Sequence, residues 1–144
     1  MTLFNTDRVL VPVDFSEVSF EALNQALASV GDPTHLHVLH VLSELSAGEP
    51  GVTWSTVDNA TRKQEVMKHL EQRFSGDAYS GIHIDVSIGN PSSEIIDYAT
   101  THQIDLIVIP SHGRTGISRF LIGSVAERVV RLAPCPVLVL RRND

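Results

Sequence analysis

The sequence predicts an α/β fold in which an open, five-stranded parallel sheet carries four helices distributed over its two faces. Strand-like and helix-like segments alternate strictly, in the order β-α-β-α-β-α-β-α-β. The strand-like segments are also almost continuously apolar, as expected for parallel strands buried on both faces. A length of 144 residues fits one domain over residues 1–144, with no internal repeat or linker.

The first strand and the first helix are predicted over residues 8–14 and 15–30. Apolar side chains recur at every fourth position from Val18 to Val30, which places them on one helical face. Ser16 is the expected N-cap, and Glu17 suits the positive end of the helix dipole. The turn formers at positions 31–33 end the helix.

The other elements follow from the same alternation of apolar runs and helical periodicity. They are, in order, a strand over 34–42, a helix over about 55–74, a strand over 82–88, a short helix capped by Ser92 or Ser93, a strand over 104–110, a helix over about 123–132 and a strand over 134–140.

The composition narrows the class of protein and its setting. A net charge of −6 argues against a general nucleic-acid or anionic-membrane surface. No apolar stretch approaches the ~20 residues of a membrane span, and the first residues do not resemble a secretory signal. The single cysteine, Cys135, excludes an internal disulfide and a cysteine-rich zinc site. We therefore expect a cytoplasmic protein.

Several motifs of well-known enzymes are absent from the sequence. It contains no GxGxxG, no Walker A loop, no GxSxG nucleophile elbow and no HExxH. No histidine or glutamate in the loop after the fourth strand has an assignable role as general base. These absences disfavour an enzyme.

The segment 109–130 carries the strongest signal for a ligand. It follows the fourth strand, contains Gly113 and Gly123, and then leads into a helix that begins near Ser124. Glycines let backbone approach a phosphate, and a helix N-terminus favours an anion. Arg114 and Arg119 would add positive charge in an acidic protein. An ordinary glycine-rich loop with solvated arginines is an equally good interpretation of this spacing.

Two further groups of polar residues are candidate ligand contacts. Asp14 ends the first strand, where it could accept hydrogen bonds from a ribose or a base, although capping the following turn explains it more simply. The histidines of the second strand suggest a metal site. His35 and His37 would share one strand face, but His40 would point to the other, so metal binding is disfavoured.

The chain resembles the universal stress protein family over nearly its whole length. The stretches "VLVPVDFSEVSFEAL", "SHGRTG", "GSVAERVV" and "CPVLV" are typical of that family. Its ATP-binding branch carries a glycine, two residues, a glycine, nine residues, and then glycine with serine or threonine. Gly113, Gly123 and Ser124 match this signature, whereas Pro110 stands at the place of the first glycine.

The resemblance implies a sheet ordered 3-2-1-4-5 and an adenine nucleotide, ATP or AMP, between strands 1 and 4, with Mg²⁺ as an optional counter-ion. The positions that match the family's adenosine contacts are Pro12, Asp14, Val41 and Gly89. The positions that match its phosphate loop are Ile109, Gly113, Gly123, Ser124 and Val125. Pro110 offers no N–H and adds ring bulk, which opposes nucleotide binding.

Three functional hypotheses follow from the sequence and the resemblance. The first is a stress-response or regulatory protein that binds an adenine nucleotide with slow or no turnover. The second is a dimeric interaction module whose cleft is vestigial, and the third and weakest is a slow ATP hydrolase. The first two accommodate a homodimer, because the apolar last strand would lie at a sheet edge and needs a partner. Cys135, between two prolines, is expected to be structural.

Overall fold

A computed structural model describes residues 4–44, 58–111 and 123–141. In these ranges, strands and α-helices alternate as predicted, and two 3₁₀ turns, Pro33–His35 and Asp77–Tyr79, precede the second and third strands. The elements are β1 (Val9–Pro12), α1 (Glu17–Val30), β2 (Leu36–Leu42), α2 (Asn59–Arg73), β3 (His83–Ile88), α3 (Pro91–Thr101), β4 (Leu106–Pro110), α4 (Ser124–Leu132) and β5 (Val137–Leu140). None of the helices in these ranges is long and apolar enough to span a membrane.

The five strands form one parallel sheet with the order β3-β2-β1-β4-β5. Along the chain, β2 and then β3 are added on one side of β1. The chain then crosses back and places β4 and β5 on the other side of β1. The order therefore reverses between β1 and β4, and in open α/β sheets a ligand crevice forms at such a switch point. The fold class and the strand order are confirmed.

Alternate residues of each strand face opposite sides of the sheet and build two separate cores. The first core lies under α1 and α2 and includes Val9, Val11, Leu23, Val38, Leu70 and Val108. The second lies under α3 and α4 and includes Leu10, Leu39, Ile95, Ile107, Ala126 and Val129. Burial on both faces explains why the strands are almost continuously apolar.

The helix caps confirm one prediction and correct another. The Ser16 side chain accepts the expected hydrogen bond at the start of α1. The predicted cap of α3, Ser92 or Ser93, is wrong. Asn90 Oδ1 accepts from the Ser93 N–H at 3.1 Å, and Pro91 is the first helical residue. Proline suits that position because its fixed φ is helical and its missing N–H would have no partner there.

The second strand begins at Leu36, later than predicted. The Asp32 side chain accepts the Thr34 N–H at 2.9 Å and starts the 3₁₀ turn in which His35 lies. His35 therefore does not share a strand face with His37, which corrects the sequence interpretation. The prediction failed because an aspartate that bonds to the backbone two residues on favours a turn over an extended chain.

The fourth and fifth strands also begin later than predicted, at Leu106 and Val137. Ile104 is buried, but its N–H donates to the Ala99 carbonyl at the end of α3 rather than to a neighbouring strand. Apolar residues just before a strand can thus join the core without joining the ladder, and an apolar pattern cannot separate the two cases.

Candidate functional site

A cleft opens where β1 and β4 part. The β1–β4 ladder ends at the pair Leu10↔Ile107, whereas β1 remains paired with β2 as far as Pro12 and β4 remains paired with β5 as far as Pro110. The carboxyl ends of the two central strands therefore diverge while each keeps its outer neighbour.

Pro12 and Pro110 explain why the ladder stops there. Successive residues of a strand direct their N–H groups to opposite neighbours. The Ser111 N–H donates outward to β5 at 2.9 Å, and the Val13 N–H donates outward to β2 at 2.9 Å. The preceding residues, Pro110 and Pro12, would each direct an N–H into the gap. Since proline has none, neither strand can donate to the other at these positions.

The cleft has a volume of about 280 Å³. Seven of the nine predicted site residues line it: Pro12, Asp14, Val41, Ile109, Gly123, Ser124 and Val125. Gly113 lies outside the described residues, as do Arg114 and Arg119. Gly89 is described, but it does not line this cleft. The structure thus brings together residues from β1, β2, β4 and the start of α4.

The lining divides into an apolar part and a polar part. Leu39 and Val41 of β2 and Ile95 of α3 supply apolar surface, while Asp14 and Ser124 supply polar groups near the carboxyl ends of the central strands. A concave site with apolar walls and a few convergent polar groups suits a small molecule that has a flat apolar ring system and a polar tail.

Asp14 both shapes the first turn and lines the cleft. Its Oδ1 accepts the Ser16 N–H at 3.0 Å and the Ser16 hydroxyl, and its own N–H donates to Ser19 Oγ at 3.3 Å. The residue between them, Phe15, has a φ of 65°, a left-handed conformation that is uncommon for a bulky residue. The turn-capping and ligand-facing interpretations of Asp14 are therefore compatible.

The N-terminus of α4 faces the cleft, and among the described residues no side chain caps it. Gly123 is its N-cap residue and accepts the Glu127 N–H at 2.9 Å through its carbonyl. The Gly123 N–H donates to the Ser111 carbonyl at 2.7 Å. The N-caps of α1, α2 and α3, in contrast, each accept a hydrogen bond through a side chain. The first turn of α4, with Ser124 and Val125, thus presents the positive end of its dipole to the cleft.

Gly89 lies in the turn between β3 and α3. Its N–H donates to the Leu42 carbonyl at 2.8 Å, and its φ is 152°. A Cβ at this position would lie 3.1 Å from Glu94 Oε2. The positive φ and the close packing against Glu94 explain why a glycine stands at this position.

The histidines do not form a metal centre within the described ranges, where no group of three histidine, cysteine, aspartate or glutamate side chains is arranged to hold an ion. His37 and His40 lie on opposite faces of β2, as predicted. His37 Nδ1 is 2.9 Å from Tyr98 Oη, and His40 Nδ1 is 2.7 Å from the Val13 carbonyl oxygen.

Sequence reasoning missed several residues of the lining. Ser19, Leu39, Pro91 and Ile95 all contribute to the cleft. Leu39 could have been found from Val41, because residues two apart share a strand face. The α3 residues gave no signal, since nothing in the local pattern says which helix covers the switch point.

The comparison with known families agrees with this architecture. The model of the universal stress protein family matches residues 5–141. Universal stress protein MJ0531 of Methanocaldococcus jannaschii is 31% identical over 140 residues, which cover 94% of this chain and 82% of that protein. Universal stress protein YxiE of Bacillus subtilis is 30% identical in an alignment of 150 positions that covers 96% of this chain and all of that protein.

Solved structures show the same fold. Universal stress protein UspA from Lactobacillus plantarum is 28% identical and superposes with a TM-score of 0.72, covering 95% of this chain and 99% of that one. A protein from Arabidopsis thaliana, solved with AMP bound, is 19% identical with a TM-score of 0.62, covering 94% and 92% of the two chains. With a cleft at the switch point of a 3-2-1-4-5 sheet and a family match over nearly all of its residues, the chain belongs to the universal stress protein family.

Proposed function

We propose that this protein binds an adenine nucleotide in the cleft between β1 and β4 and acts through binding rather than turnover. The observation that carries the proposal is the meeting of three features at one switch point: an apolar pocket, the carboxylate of Asp14 and the N-terminus of α4, whose N-cap residue is a glycine. We also propose a cytoplasmic location, because the single thiol, Cys135, cannot form an internal disulfide.

The adenosine end would lie on the β1–β2 side of the cleft. Val41 and Pro12 offer apolar surface to a base, and Asp14 lies where a carboxylate can accept hydrogen bonds from ribose hydroxyls. Gly89, which the family resemblance assigns to this end, does not line the described cleft, and its described contacts are with Leu42 and Glu94.

The phosphate end would lie over the first turn of α4. Its N–H groups and dipole attract an anion, and the Ser124 hydroxyl can add a hydrogen bond. Gly123 carries no side chain that would obstruct the approach. Mg²⁺ would enter only as a counter-ion of the phosphates.

Relatives motivate the choice of ligands to test. The Arabidopsis thaliana protein was solved with AMP bound, and another universal stress protein, 19% identical with a TM-score of 0.67, was solved in complex with cAMP. Those complexes belong to those proteins. For this chain, ATP and AMP are both candidates, and binding experiments must distinguish them.

The test measures binding of adenosine, AMP, ADP and ATP by calorimetry and by thermal shift, together with mass spectrometry of any nucleotide that copurifies. A ligand that binds only the native state adds about 2.7 kcal/mol at one hundred times its dissociation constant. Gly123→Val should abolish ATP binding, because it adds bulk where a phosphate must approach. Gly76→Val is the matched control, since Gly76 lies in a remote turn with ordinary backbone geometry.

Asp14→Ala separates the two ends of the site. It should weaken adenosine and ATP to the same degree while leaving binding of inorganic phosphate or sulfate unchanged. If no nucleotide shifts the melting temperature and none copurifies, the cleft is vestigial and the proposal fails. Steady release of phosphate from ATP well above background would instead support a slow hydrolase.

We further propose that the protein forms a homodimer through β5. This strand lies at the edge of the sheet, and the side chain of Leu138 is 40% exposed. Val130 and Leu132 of the neighbouring α4 are 47% and 50% exposed. A shallow groove of about 90 Å³ beside β5 is lined by Leu138 and Leu140. An apolar edge strand of this kind needs a partner, and antiparallel pairing with a second copy would supply one.

Sedimentation velocity tests the dimer. Val139→Lys, and Leu138→Lys at the more exposed neighbouring position, should each shift the equilibrium toward monomer. The reason is that a charged side chain opposes burial at the interface. Ala28→Lys, on the exposed face of α1, is the matched control and should leave association unchanged. A single species of 15.8 kDa at micromolar concentration would refute the dimer.

A further inference from the structure

Four aromatic rings form a continuous series of contacts between the sheet and α3, stacked at its two ends and edge-on at its centre. We call them the histidine stack: His83 of β3, His37 of β2, Tyr98 of α3 and His102, the residue that follows α3. The ring centroids are 4.4 Å apart for His83 and His37, 5.9 Å for His37 and Tyr98, and 3.7 Å for Tyr98 and His102. A hydrogen bond of 2.9 Å joins His37 Nδ1 to Tyr98 Oη at the centre of the stack.

The histidine stack and the cleft occupy two ends of one interface. His37, Leu39 and Val41 follow one another on the same face of β2, and the last two line the cleft. On α3, Ile95 lines the cleft and Tyr98 lies one turn further along. Any movement that separates α3 from β2 at the stack therefore acts on a wall of the cleft.

Both partners of the central hydrogen bond are held neutral at neutral pH. Burial, followed by the negative charge of Asp85, raises the pKa of Tyr98 to about 12, so its hydroxyl keeps the proton. Burial, followed by the charges of His83, His102 and Arg8, lowers the pKa of His37 to about 4. The bond therefore joins two neutral groups, and the tautomer of His37 sets which of them donates.

The surroundings of the histidine stack contribute both signs of charge. Arg8, just before β1, donates from Nη1 to Gln103 Oε1 at 3.0 Å, and Asp105 Oδ2 accepts the Arg8 backbone N–H at 3.2 Å. The negative charge of Asp85, on β3, contributes to the raised pKa of Tyr98. Arg8 thus places a fixed positive charge close enough to His37 to oppose its protonation.

Acid therefore acts on this contact in two ways. A proton bound by His37 places a positive charge at a half-buried position, where desolvation opposes it. The charges of His83 and His102, whose ring centroids lie 4.4 and 6.2 Å away, and of Arg8 oppose it further. Both effects oppose the packed arrangement, because like charges at such separations repel and a half-buried site screens them incompletely.

We propose that the histidine stack is an acid-released fastener between β2 and α3. Protonation of His37 within it loosens α3 from the sheet and thereby moves one wall of the cleft. The fastener acts on the protein without ligand, so it does not depend on which molecule the cleft binds.

Amide hydrogen exchange of the ligand-free protein tests the proposal. Protection of α3 is compared with protection of α1, each corrected for the intrinsic exchange rate, at about pH 7 and about pH 5. In the wild-type protein, the ratio of α3 to α1 protection should fall about tenfold at the lower pH. In His37→Gln, whose amide does not titrate and can still reach Tyr98, the ratio should change by less than about twofold.

Two further variants are compared with the wild type in the same experiment. His69→Gln makes the same change at an exposed position of α2 and should retain the full response of the wild type. Tyr98→Phe keeps the ring but removes the hydroxyl, so its α3 should already exchange faster at about pH 7 and respond less to acid. An α3 to α1 ratio that is independent of pH in the wild type would overturn the proposal. So would a His37→Gln protein that responds as strongly as the wild type.

Discussion

Pro12 and Pro110 end the two central strands, and each lacks the N–H that would otherwise point into the gap between them. Neither strand can therefore donate to the other beyond Leu10 and Ile107. In the middle of a parallel sheet proline removes a ladder hydrogen bond, and the ladder between β1 and β4 stops just before these two prolines. The two prolines keep the cleft open and also deprive a ligand of two backbone donors.

Replacing Pro110 should strengthen phosphate binding. Pro110→Ala and Pro110→Gly both restore an N–H that faces the cleft, and a hydrogen bond to a charged group contributes about 1.5–3 kcal/mol, or at least tenfold in affinity. Calorimetry should show the gain for AMP or ATP and none for adenosine. A gain in Pro110→Gly alone would assign the effect to ring bulk and backbone restriction instead, and equal affinities in all three proteins would contradict the prediction.

Phe15 should be strained by its left-handed backbone. Both Phe15→Ala and Phe15→Gly lose the ring contacts with His40 and Phe20, at centroid distances of 4.8 and 5.9 Å. Only glycine adopts a φ of 65° without cost. The free energy of unfolding of Phe15→Gly should therefore be about 1 kcal/mol larger than that of Phe15→Ala. Urea denaturation measures the difference. Equal stabilities would mean that the turn relaxes once the ring is gone.

Gly89→Ala should destabilise the fold for two separable reasons. The φ of 152° disfavours any side chain, and the new Cβ would lie 3.1–3.2 Å from atoms of the Glu94 side chain. We expect a loss of about 1–3 kcal/mol in the free energy of unfolding. The double variant Gly89→Ala with Glu94→Ala should recover the packing part only. Gly76→Ala, where φ is −70°, should cost far less.

The stability of the protein should fall in mild acid because of His37. Its pKa in the folded state, about 4, lies below the value of 6.5 in the unfolded chain, so the unfolded state binds the proton more tightly. The stability that depends on a neutral His37 is fully present above pH 6.5 and is lost progressively as the pH falls toward about 4. Because the side chain is half-exposed, we expect a loss of about 1–2 kcal/mol.

Urea unfolding at a series of pH values measures this loss. His37→Gln should flatten the curve over that interval, and His69→Gln should leave its slope as in the wild type. A wild-type curve that is level between pH 6.5 and 4 would show that His37 titrates alike in both states.

Cys135 should react slowly with thiol reagents. Burial, followed by the negative charge of Asp105, raises the pKa of its thiol, so little of the reactive thiolate is present at neutral pH. Labelling with a chromogenic disulfide should be at least about tenfold slower in the folded protein than in denaturant. Cys135→Ser should keep the fold, any ligand binding and the oligomeric state. Loss of ligand binding alone would indicate a functional thiol.

The local sequence was sufficient to predict the elements and their order. Periodicity and capping depend on residues within a few positions of each other, which is why the strands, the helices and the Ser16 cap were found. Boundaries were less certain, because Asp32 and Ile104 fold by local hydrogen bonds that compete with strand pairing. The strand order and the nucleotide positions came from family resemblance.

The sequence by itself determined that a parallel α/β sheet would form, with polar residues and glycines following its strands. Only the tertiary structure decided that Asp14 and Ser124 line one cleft and that Pro12 and Pro110 face the same gap. It also decided that His37 reaches Tyr98, 61 residues away. The physical reason is that such contacts depend on which strands pair and which helix packs on each face, and residues distant along the chain carry no shared local pattern.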